Sequence, residues 1–486
     1  MTVLHTPASN AITAAGRTGP LITGFESRHA ARRVVRARCA PILRSVFGRI
    51  GKRSRLTTSH QQSPIAGKRV LILVENLPSP FDRRVWQEAT TLRDAGCPVS
   101  IICPTGKGSE KSFEEIDGIH IWRYRLPLEG AGAKGYAIEY ATALFRTFTL
   151  SLRVLFGRGF DVIHACNPPD LFFLIGALFK PFGKKFVFDH HDLCPELYVA
   201  KFGRRDFFHR LLLKLEYWTF RTADLSIATN ESYRRIAIGR GRMAPQRVFV
   251  VRSGPSLERI RIHAPDMRLK HGRRYLVGYV GVMGKQEGID YLLRAVQHIV
   301  WVMKRHDVHF GLVGGGTSLA EMKALAADLG IADYVTFTGR VPDAEMLAML
   351  NTADVCVNPD VDNEMNDKST MNKIMEYMAL GKPIVQFDLS EGRHSAQAAS
   401  VYARGNDAID LAEKLVDLLD NPDRRAQMGA FGRNRIESVL EWRHEAPKLL
   451  AAYASLWPDA GVARADSGTQ GRLSADATSK TSSGSI

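Results

Sequence analysis

The stretch that decides the fold is Asp367-Lys368-Ser369-Thr370-Met371-Asn372-Lys373-Ile374-Met375-Glu376-Tyr377-Met378-Ala379-Leu380-Gly381-Lys382-Pro383. Its apolar residues recur at helical spacing, which predicts a helix with one apolar face. We expect Ser369 or Thr370 to cap the start of this helix, and Gly381 with Pro383 to end it. The segment 383–387 follows as a buried strand, so the stretch is typical of an α/β domain.

The polar side of the same helix is suited to an anionic ligand. Lys368 and Lys373 flank the uncovered backbone N–H groups of the helix start, where a diphosphate would bind. Glu376 lies one turn beyond Asn372 and can accept hydrogen bonds from the hydroxyl groups of a sugar or ribose. An ordinary amphipathic helix with a solvated polar face is the alternative that this stretch alone leaves open.

Length and composition indicate a soluble globular protein of two or three domains. The chain has 486 residues, of which 45% are hydrophobic and 24% charged. It contains no run of 18 apolar residues, so we predict no membrane-spanning helix. Its six cysteines are scattered without a CxxC pair. This pattern argues for reduced thiols in the cytoplasm and against a disulfide framework or a structural zinc site.

The first 66 residues form a basic extension that we expect to be largely disordered. They contain eleven Arg or Lys residues and one acidic residue, Glu26, while the whole chain carries a net charge of +16. Segment 30–50 mixes arginines with aliphatic residues, as in a basic helix that lies on a membrane surface. A basic tail without a specific role and an organelle transit peptide are the alternatives. We expect no secretory signal, because the apolar block that such a signal requires is missing.

Residues 67–256 alternate between strand and helix patterns, which predicts a mostly parallel sheet covered on both faces. The loop 75–86 after the first strand contains no glycine, which argues against a dinucleotide-binding turn. Residues 134–157 are apolar and aromatic, so they either pack in the core or contact lipid. The strand 185–189 ends at His190-His191-Asp192, where parallel sheets bind ligands. These tandem residues cannot all face one ion without an unusual turn, so we predict no metal site.

A polar, irregular linker at 257–270 precedes a second α/β domain, residues 271–440. Its strands end in polar or glycine-rich loops, and several such loops at adjacent strand ends predict a binding cleft. The residues that carry this pattern are Gly281, Gly284 and Lys285 after the first strand, Gly314 after the second, and Gly339, Arg340 and Val341 after the third. We expect a final helix at 441–457 and a disordered tail at 458–486.

Together these features resemble the GT-B glycosyltransferases, and among them the retaining enzymes of glycosyltransferase family 4. The resemblance covers about residues 67–457. It is carried by Glu376 with Ala379-x-Gly381-Lys382-Pro383, the strand and glycine turn at 311–316, Val335-x-Phe337-x-Gly339, and His191-Asp192. It implies two Rossmann-like domains that face each other across a cleft, with the C-terminal helix crossing back to the N-terminal domain.

The resemblance also implies roles for individual residues. Glu376 would accept hydrogen bonds from the donor ribose, and the N–H groups of 370–372 would hold the donor diphosphate. Gly281 and Gly284 would border the phosphates, and 339–341 would line the base pocket. The predicted donor site thus comprises Gly281, Gly284, Lys285, Gly314, Gly339, Arg340, Val341, Lys368, Ser369, Thr370, Met371, Asn372, Lys373 and Glu376. The catalytic candidates are His191, which would lie against the transferred sugar, Asp192 and Glu376. Asp82, Arg83 and Arg84 are expected on the acceptor side.

The chain departs from the family pattern in its charged residues. Family 4 usually has two glutamates eight positions apart, and Lys368 occupies the first of these positions here. The family's phosphate-binding Arg and Lys fall on Val282 and Glu287. Our hypothesis is that Lys285, Lys368 and Lys373 restore the missing positive charge.

The resemblance predicts a retaining glycosyltransferase with a nucleotide-sugar donor, UDP- or GDP-linked, and no cofactor. The acceptor would be a lipid-linked saccharide in polysaccharide assembly. The enzyme would then be cytoplasmic and peripheral on the cytoplasmic face of a membrane, without nucleic-acid binding. A nucleotide-sugar epimerase of the same fold and an inactive GT-B scaffold protein are the alternatives.

Overall fold

The computed structural model describes residues 63–126 and 132–458, without the side chains of 132–137. The predicted basic extension therefore lies almost wholly outside the described residues, as does the predicted C-terminal tail. The described chain forms two α/β lobes, each built on one sheet. We call them the N-lobe and the C-lobe.

The N-lobe contains an eight-stranded sheet in the order β3-β4-β2-β1-β5-β6-β7-β8. All neighbouring strands are parallel except β3 and β4, which are antiparallel. The strands are β1 (Val70–Leu73), β2 (Val99–Pro104), β3 (Phe113–Ile116), β4 (Ile119–Tyr124), β5 (Val162–Cys166), β6 (Lys185–His190), β7 (Leu225–Ala228) and β8 (Val248–Val250). The helices are α1 (Arg83–Asp94), α2 (Gly132–Phe156), α3 (Phe173–Phe179), α4 (Cys194–Phe202), α5 (Phe207–Thr222) and α6 (Glu231–Gly239).

The C-lobe contains a six-stranded parallel sheet in the order β11-β10-β9-β12-β13-β14. Its strands are β9 (Tyr275–Val280), β10 (Val308–Val313), β11 (Val335–Gly339), β12 (Val355–Asn358), β13 (Ile384–Phe387) and β14 (Ser400–Ala403). Its helices are α7 (Ile289–Gln297), α8 (Leu319–Asp328), α9 (Asp343–Thr352), α10 (Glu364–Lys368), α11 (Asn372–Ala379), α12 (Ser390–Ala396), α13 (Ala408–Asp420) and α14 (Pro422–Arg435). π-helical turns extend α7 and α14.

Each sheet buries apolar side chains on both faces, as expected for parallel strands covered by helices. The final helix, α15 (Trp442–Ala454), packs against the N-lobe rather than the C-lobe. Leu449 and Tyr453 join the N-lobe core, and the Tyr453 hydroxyl lies 2.7 Å from Nδ1 of His164. The two predicted Rossmann-like domains and the helix that crosses back are therefore confirmed. No helix in the described ranges is long and apolar enough to cross a bilayer.

The start of α11 differs from the sequence-based expectation. The helix begins at Asn372, its N-cap is Met371, and no side chain of the described residues caps it. Ser369 instead donates to the carbonyl of Met365 at 2.7 Å, and the Thr370 hydroxyl accepts from Asn230 at 3.0 Å. The predicted hydroxyl cap is wrong because both hydroxyl groups are engaged in other contacts. The first backbone N–H groups of α11 are therefore left without a capping side chain.

Candidate functional site

The loops that follow β9, β10 and β11 touch one another at the carboxyl edge of the C-lobe sheet. The N–H of Gly281 donates to Val313 at 3.0 Å, and the N–H of Gly314 donates to Gly339 at 2.9 Å. Gly314 has φ +135°, and a Cβ at this position would lie 1.8 Å from the Gly281 carbonyl oxygen. Only glycine therefore permits this approach. The edge brings together the predicted residues Gly281, Gly284, Gly314 and Gly339.

The uncapped start of α11 lies at the same edge and meets the N-lobe. Asn230, the N-cap of α6, donates to the carbonyl of Lys368 at 2.8 Å and to Thr370 at 3.0 Å. The Tyr233 hydroxyl lies 3.2 Å from that of Ser369. The predicted residues Ser369, Thr370 and Met371 therefore form a loop that the N-lobe holds from the side, while Asn372 is exposed. The free N–H groups and the helix dipole give this point a positive electrostatic character.

Glu376 lies one turn into α11 and faces the opposite lobe. Its side chain is 11% exposed and accepts from Nη1 of Arg83 at 2.8 Å and from Nη2 of Arg259 at 2.7 Å, both at Oε1. Asp343 contacts the same two guanidinium groups, at 2.7 Å from Arg83 and 3.0 Å from Arg259. We call Arg83, Arg259, Asp343 and Glu376 the four-charge cluster. The carboxylate of Glu376 therefore points to the boundary between the lobes and not into packed interior.

The three predicted lysines differ in their surroundings. Lys373 is 10% exposed and lies 2.5 Å from Glu287 and 2.8 Å from Asp360. Lys368 pairs with Glu364 at 2.8 Å and lines a cavity of about 370 Å³ between the lobes. Lys285 is exposed and forms no ion pair with any described residue. Of these three lysines, only Lys285 has no carboxylate partner among the described residues.

Lys373 and its two carboxylates form a buried ion cluster. Asp360 is 1% exposed, and burial, more than the nearby Glu287, raises its pKa to about 7 against the opposing effect of Lys373. The pKa of Lys373 is raised, because the charges of Asp360 and Glu287 outweigh the opposing effect of burial. The cluster therefore holds Lys373 as a cation between two acids.

His191 and Asp192 follow β6 at the carboxyl edge of the N-lobe sheet. Their backbone N–H groups both donate to Oδ1 of Asn167, at 2.7 and 3.1 Å. The His191 ring is 13% exposed, and its Nε2 contacts Asp189. Burial alone would lower the pKa of His191, but the charge of Asp189 outweighs it and the pKa is raised. Nε of Arg84 also lies 3.1 Å from the same Nε2, so this ring nitrogen faces both a guanidinium and a carboxylate.

A buried charged network lies behind His191. Arg84 donates to Asp189 at 2.8 Å and contacts Glu88 at 3.0 Å, while His164 lies 3.3 Å from both carboxylates. Burial would raise the pKa of Asp189, but Arg84 and then His191 outweigh it and hold it well below its usual range. The hydrogen bonds to Asp189 and Glu88 likewise overcome burial and raise the pKa of His164 to about 9. For Glu88, burial outweighs the opposing charge of Arg84, and its pKa is raised.

The three residues predicted on the acceptor side do not act together. Asp82 is the N-cap of α1 and accepts from the N–H of Val85 at 3.1 Å. Arg84 is buried in the N-lobe network. Arg83 points across the cleft into the four-charge cluster. The structure therefore separates these neighbours into a helix cap, a core ion pair and a contact with the C-lobe.

The predicted base pocket also lies at the lobe boundary. The guanidinium of Arg340 stacks on the ring of Phe81, 4.0 Å from its centroid, and Phe81 belongs to the N-lobe. Val341 is partly buried against the C-lobe core. The backbone after β11 is therefore placed beside the four-charge cluster, since Asp343 follows two residues later.

Two groups of side chains among the described residues could geometrically hold a metal ion. They are His164, Cys166 and Asp189, and Glu88, Asp189 and His191. Arg84 donates to Asp189 and contacts Glu88, so a guanidinium already neutralises the carboxylates that an ion would need. The observed contacts of these side chains are therefore those of an ion-pair network in the N-lobe.

Comparison with known families supports this description of the two lobes. A family model described as Glycosyltransferase Family 4 matches residues 82–259, and one described as Glycosyl transferases group 1 matches residues 274–421. The chain has the GT-B fold and resembles glycosyltransferase family 4. The first match lies in the N-lobe and linker and the second in the C-lobe, so both halves of the cleft belong to the resemblance.

Solved GT-B structures share the fold along most of the chain. Sucrose-phosphate synthase from Thermosynechococcus elongatus superposes with a TM-score of 0.67 at 19% identity, covering 80% of this chain and 99% of its own. Anabaena HepE in complex with UDP-glucose gives a TM-score of 0.60 at 14% identity, covering 80% and 99%. At these identities the likeness concerns the fold alone.

Curated relatives match over shorter segments. A Corynebacterium glutamicum enzyme named GDP-mannose-dependent monoacylated alpha-(1-6)-phosphatidylinositol monomannoside mannosyltransferase is 28% identical over 34% of this chain and 43% of its own. The 2-deoxystreptamine glucosyltransferase of Streptomyces kanamyceticus is 26% identical over 50% of this chain and 64% of its own. The chain spans about half the length of the curated relatives it matches.

Several residues of this family 4-like site were not found by sequence reasoning. Arg259 lies in the polar linker, where nothing in the local pattern distinguishes it from other charged residues. Asp343 looks like an ordinary acidic residue in a first helical turn, and Asn230 like an ordinary helix cap. Asp189 lies within a strand and so gave no signal either. Each acquires its role through a partner that is distant in sequence.

Proposed function

We propose that this chain transfers a sugar from a nucleoside-diphosphate donor to an acceptor, with retention at the anomeric carbon. The observation that carries this proposal is the uncapped start of α11 at the glycine-lined edge, with Glu376 one turn further on. Backbone N–H groups at a helix start suit a diphosphate, and a carboxylate one turn away suits ribose hydroxyl groups. The two features would then receive the diphosphate and the ribose of one nucleotide.

The proposed chemistry depends on the diphosphate as leaving group. Its negative charge increases as the bond to the sugar breaks, and the N–H groups and dipole of α11 are already oriented towards that charge. His191 follows β6 on the opposite lobe and would contact the transferred sugar or its phosphate through its ring. The cleft would hold the two substrates in a reactive orientation, which supplies a large part of such rate enhancements.

The names of the relatives support a sugar nucleotide and a lipid-linked acceptor. One acts with GDP-mannose on a phosphatidylinositol mannoside by its name, and HepE was solved with UDP-glucose. We propose a UDP- or GDP-linked donor and an acceptor saccharide that is attached to a lipid. The acceptor would enter from the N-lobe, between the 75–84 loop and His191.

An apolar and basic surface of the N-lobe supports contact with the cytoplasmic face of a membrane. Helices α3 and α5 pack together and expose large apolar side chains beside cations. The exposed side chains are Leu174, Leu178, Phe182, Phe207, Phe208, Leu211 and Trp218, with Arg210, Lys214 and Arg221 beside them. The only acidic residue of α5, Glu216, is buried, and α3 has none. Such a surface suits anionic lipid.

A nucleotide-binding experiment tests the donor site. UDP, GDP and their sugars would be titrated into the full chain, with thermal stability and calorimetry as readouts. We expect Glu376→Gln to weaken binding of the preferred nucleotide about tenfold to hundredfold, because its carboxylate no longer accepts the ribose hydroxyl groups as an anion. The exposed Glu413→Gln of α13 is the matched control.

Two outcomes would contradict the proposal. Binding of neither UDP nor GDP would exclude a donor site of this kind. Conversion of a nucleotide sugar to a different nucleotide sugar without acceptor would show an epimerase instead.

A further inference from the structure

Two guanidinium groups converge on Glu376 from outside the C-lobe core. Arg83 comes from the first turn of α1 in the N-lobe, and Arg259 comes from the linker. They contact the same oxygen, Oε1, at 2.8 and 2.7 Å, and no hydrogen bond from a described residue reaches Oε2. One cation is enough to neutralise a carboxylate. With Asp343 included, two cations and two anions are gathered beside the start of α11.

Two of the three lysines predicted for this site are engaged with carboxylates, and the third, Lys285, is exposed in the loop after β9. Lys373 is enclosed by Glu287 and Asp360, and Lys368 is turned to Glu364. Val282 and Glu287 occupy the positions where family 4 carries its phosphate-binding cations. A diphosphate that entered here would therefore meet the backbone N–H groups of α11 and the guanidinium groups of the four-charge cluster.

The two arginines are free enough to move to a phosphate. Arg83 is 42% exposed and Arg259 is 28% exposed, and their common partner Asp343 is 48% exposed, so the two ion pairs with Asp343 contribute little stability. A diphosphate carries more negative charge than either carboxylate and accepts bidentate hydrogen bonds from guanidinium groups. In a nucleotide the diphosphate is attached to the ribose. A guanidinium that contacts the ribose-binding carboxylate is therefore within reach of the phosphate.

We propose that Arg83 and Arg259 bind the donor diphosphate, in place of the cations that family 4 carries after the first strand of the C-lobe. This inference rests on the proposed function. In the free protein Glu376 and Asp343 hold the two guanidinium groups beside the site. When the nucleotide binds, the guanidinium groups transfer to the phosphates and Glu376 becomes available to the ribose. Because Arg83 belongs to the N-lobe, the diphosphate then joins the two lobes.

Calorimetric titration of the full chain with UDP, GDP, uridine and guanosine tests the inference. We expect Arg83→Ala and Arg259→Ala each to weaken diphosphate binding about tenfold to hundredfold, while nucleoside binding is unchanged or tighter because Glu376 loses a competing cation. Arg268→Ala is the matched control, because Arg268 is 90% exposed and pairs only with Asp266 on the linker. It should leave diphosphate affinity unchanged.

Lysine variants, and the direction in which diphosphate affinity changes, show whether the arginines bind the diphosphate or only compete with it for Glu376. Arg83→Lys and Arg259→Lys keep the charge and the fold but lose the bidentate geometry, so we expect an intermediate loss. Unchanged diphosphate affinity in the alanine variants would overturn the inference. Tighter binding of the diphosphate would also overturn the inference, since the arginines would then only compete with the nucleotide for Glu376. If the unaltered chain binds neither nucleotide, the proposed function itself fails.

Discussion

At the scale of single residues, charge near a helix start did not by itself identify a phosphate ligand. Lys373 follows the first residue of α11, yet its ammonium group lies between Glu287 and Asp360. Family 4 has a lysine at the position of Glu287. This chain has a carboxylate there instead, and that carboxylate pairs with Lys373. Whether Lys373 also contacts the donor stays a prediction.

Glu75 allows a prediction about pH at the same scale. It lies two residues after the end of β1, is 3% exposed, and its Oε1 has no partner among the described residues. Burial, and secondly the charge of Glu139, raises its pKa to about 7. Between its ordinary pKa and pH 7 the folded state binds more protons than the unfolded state, so the free energy of unfolding decreases as the pH rises.

We therefore expect Glu75→Gln to stabilise the protein above pH 7, by about 3 kcal/mol at pH 8, and to have little effect at pH 4.5. Thermal unfolding at both pH values measures the difference. Glu110→Gln, an exposed residue of the same lobe, is the control. An equal change at both pH values would show that Glu75 is not a destabilising buried charge.

At the scale of elements, the site is a set of loop contacts that depend on glycine. The loops after β9, β10 and β11 approach so closely that Gly314 and Gly316 face backbone atoms of the first loop. The strand pattern placed these loops at one edge, because all carboxyl ends of a parallel sheet meet there. Which of them touch depends on the order of strands in the sheet, and adjacent segments of sequence do not encode that order.

Gly314→Ala tests the contact between these loops. Its Cβ would lie 1.8 Å from the Gly281 carbonyl oxygen in a backbone conformation with φ +135°. We expect a loss of about 3 kcal/mol or more in the free energy of unfolding, together with weaker nucleotide binding. Gly339→Ala is the matched control, since φ is +66° there but no atom lies within 4 Å of the added Cβ. It should cost only about 1 kcal/mol. Equal effects would mean that strain in φ, rather than the loop contact, matters.

At the scale of the whole molecule, contacts between the lobes give the cleft its form. Arg83 reaches Glu376, Asn230 holds the loop before α11, and α15 carries the end of the C-lobe back onto the N-lobe core. The proposed acceptor side and the apolar and basic surface of α3 and α5 both belong to the N-lobe. A lipid-linked acceptor could therefore be presented to the cleft by the membrane that this lobe contacts.

The double variant Phe182→Ser and Trp218→Ser tests this surface, whose two side chains are 74% and 54% exposed. We expect its partition onto phosphatidylglycerol vesicles to fall at least about tenfold in a sedimentation assay, because less apolar surface is buried in lipid. Trp301→Ser, an exposed tryptophan of the C-lobe, is the control and should bind normally. Equal binding of all three proteins would show that the membrane contact lies elsewhere.

The sequence by itself determined the two α/β lobes, most of their strands, the returning helix and the position of Glu376. These follow from local periodicity and from motifs that lie within one element, so neighbouring residues carry the information. Two short edge strands, β3 and β14, were missed. The residues of β3 alternate between exposed and partly buried, and β14, although mostly buried, has only four residues and begins with a serine. Only the tertiary structure decided which charges meet. Arg83 and Arg259 each contact Asp343 and Glu376, across intervals of 84 to 293 residues, and no local pattern specifies such a pair.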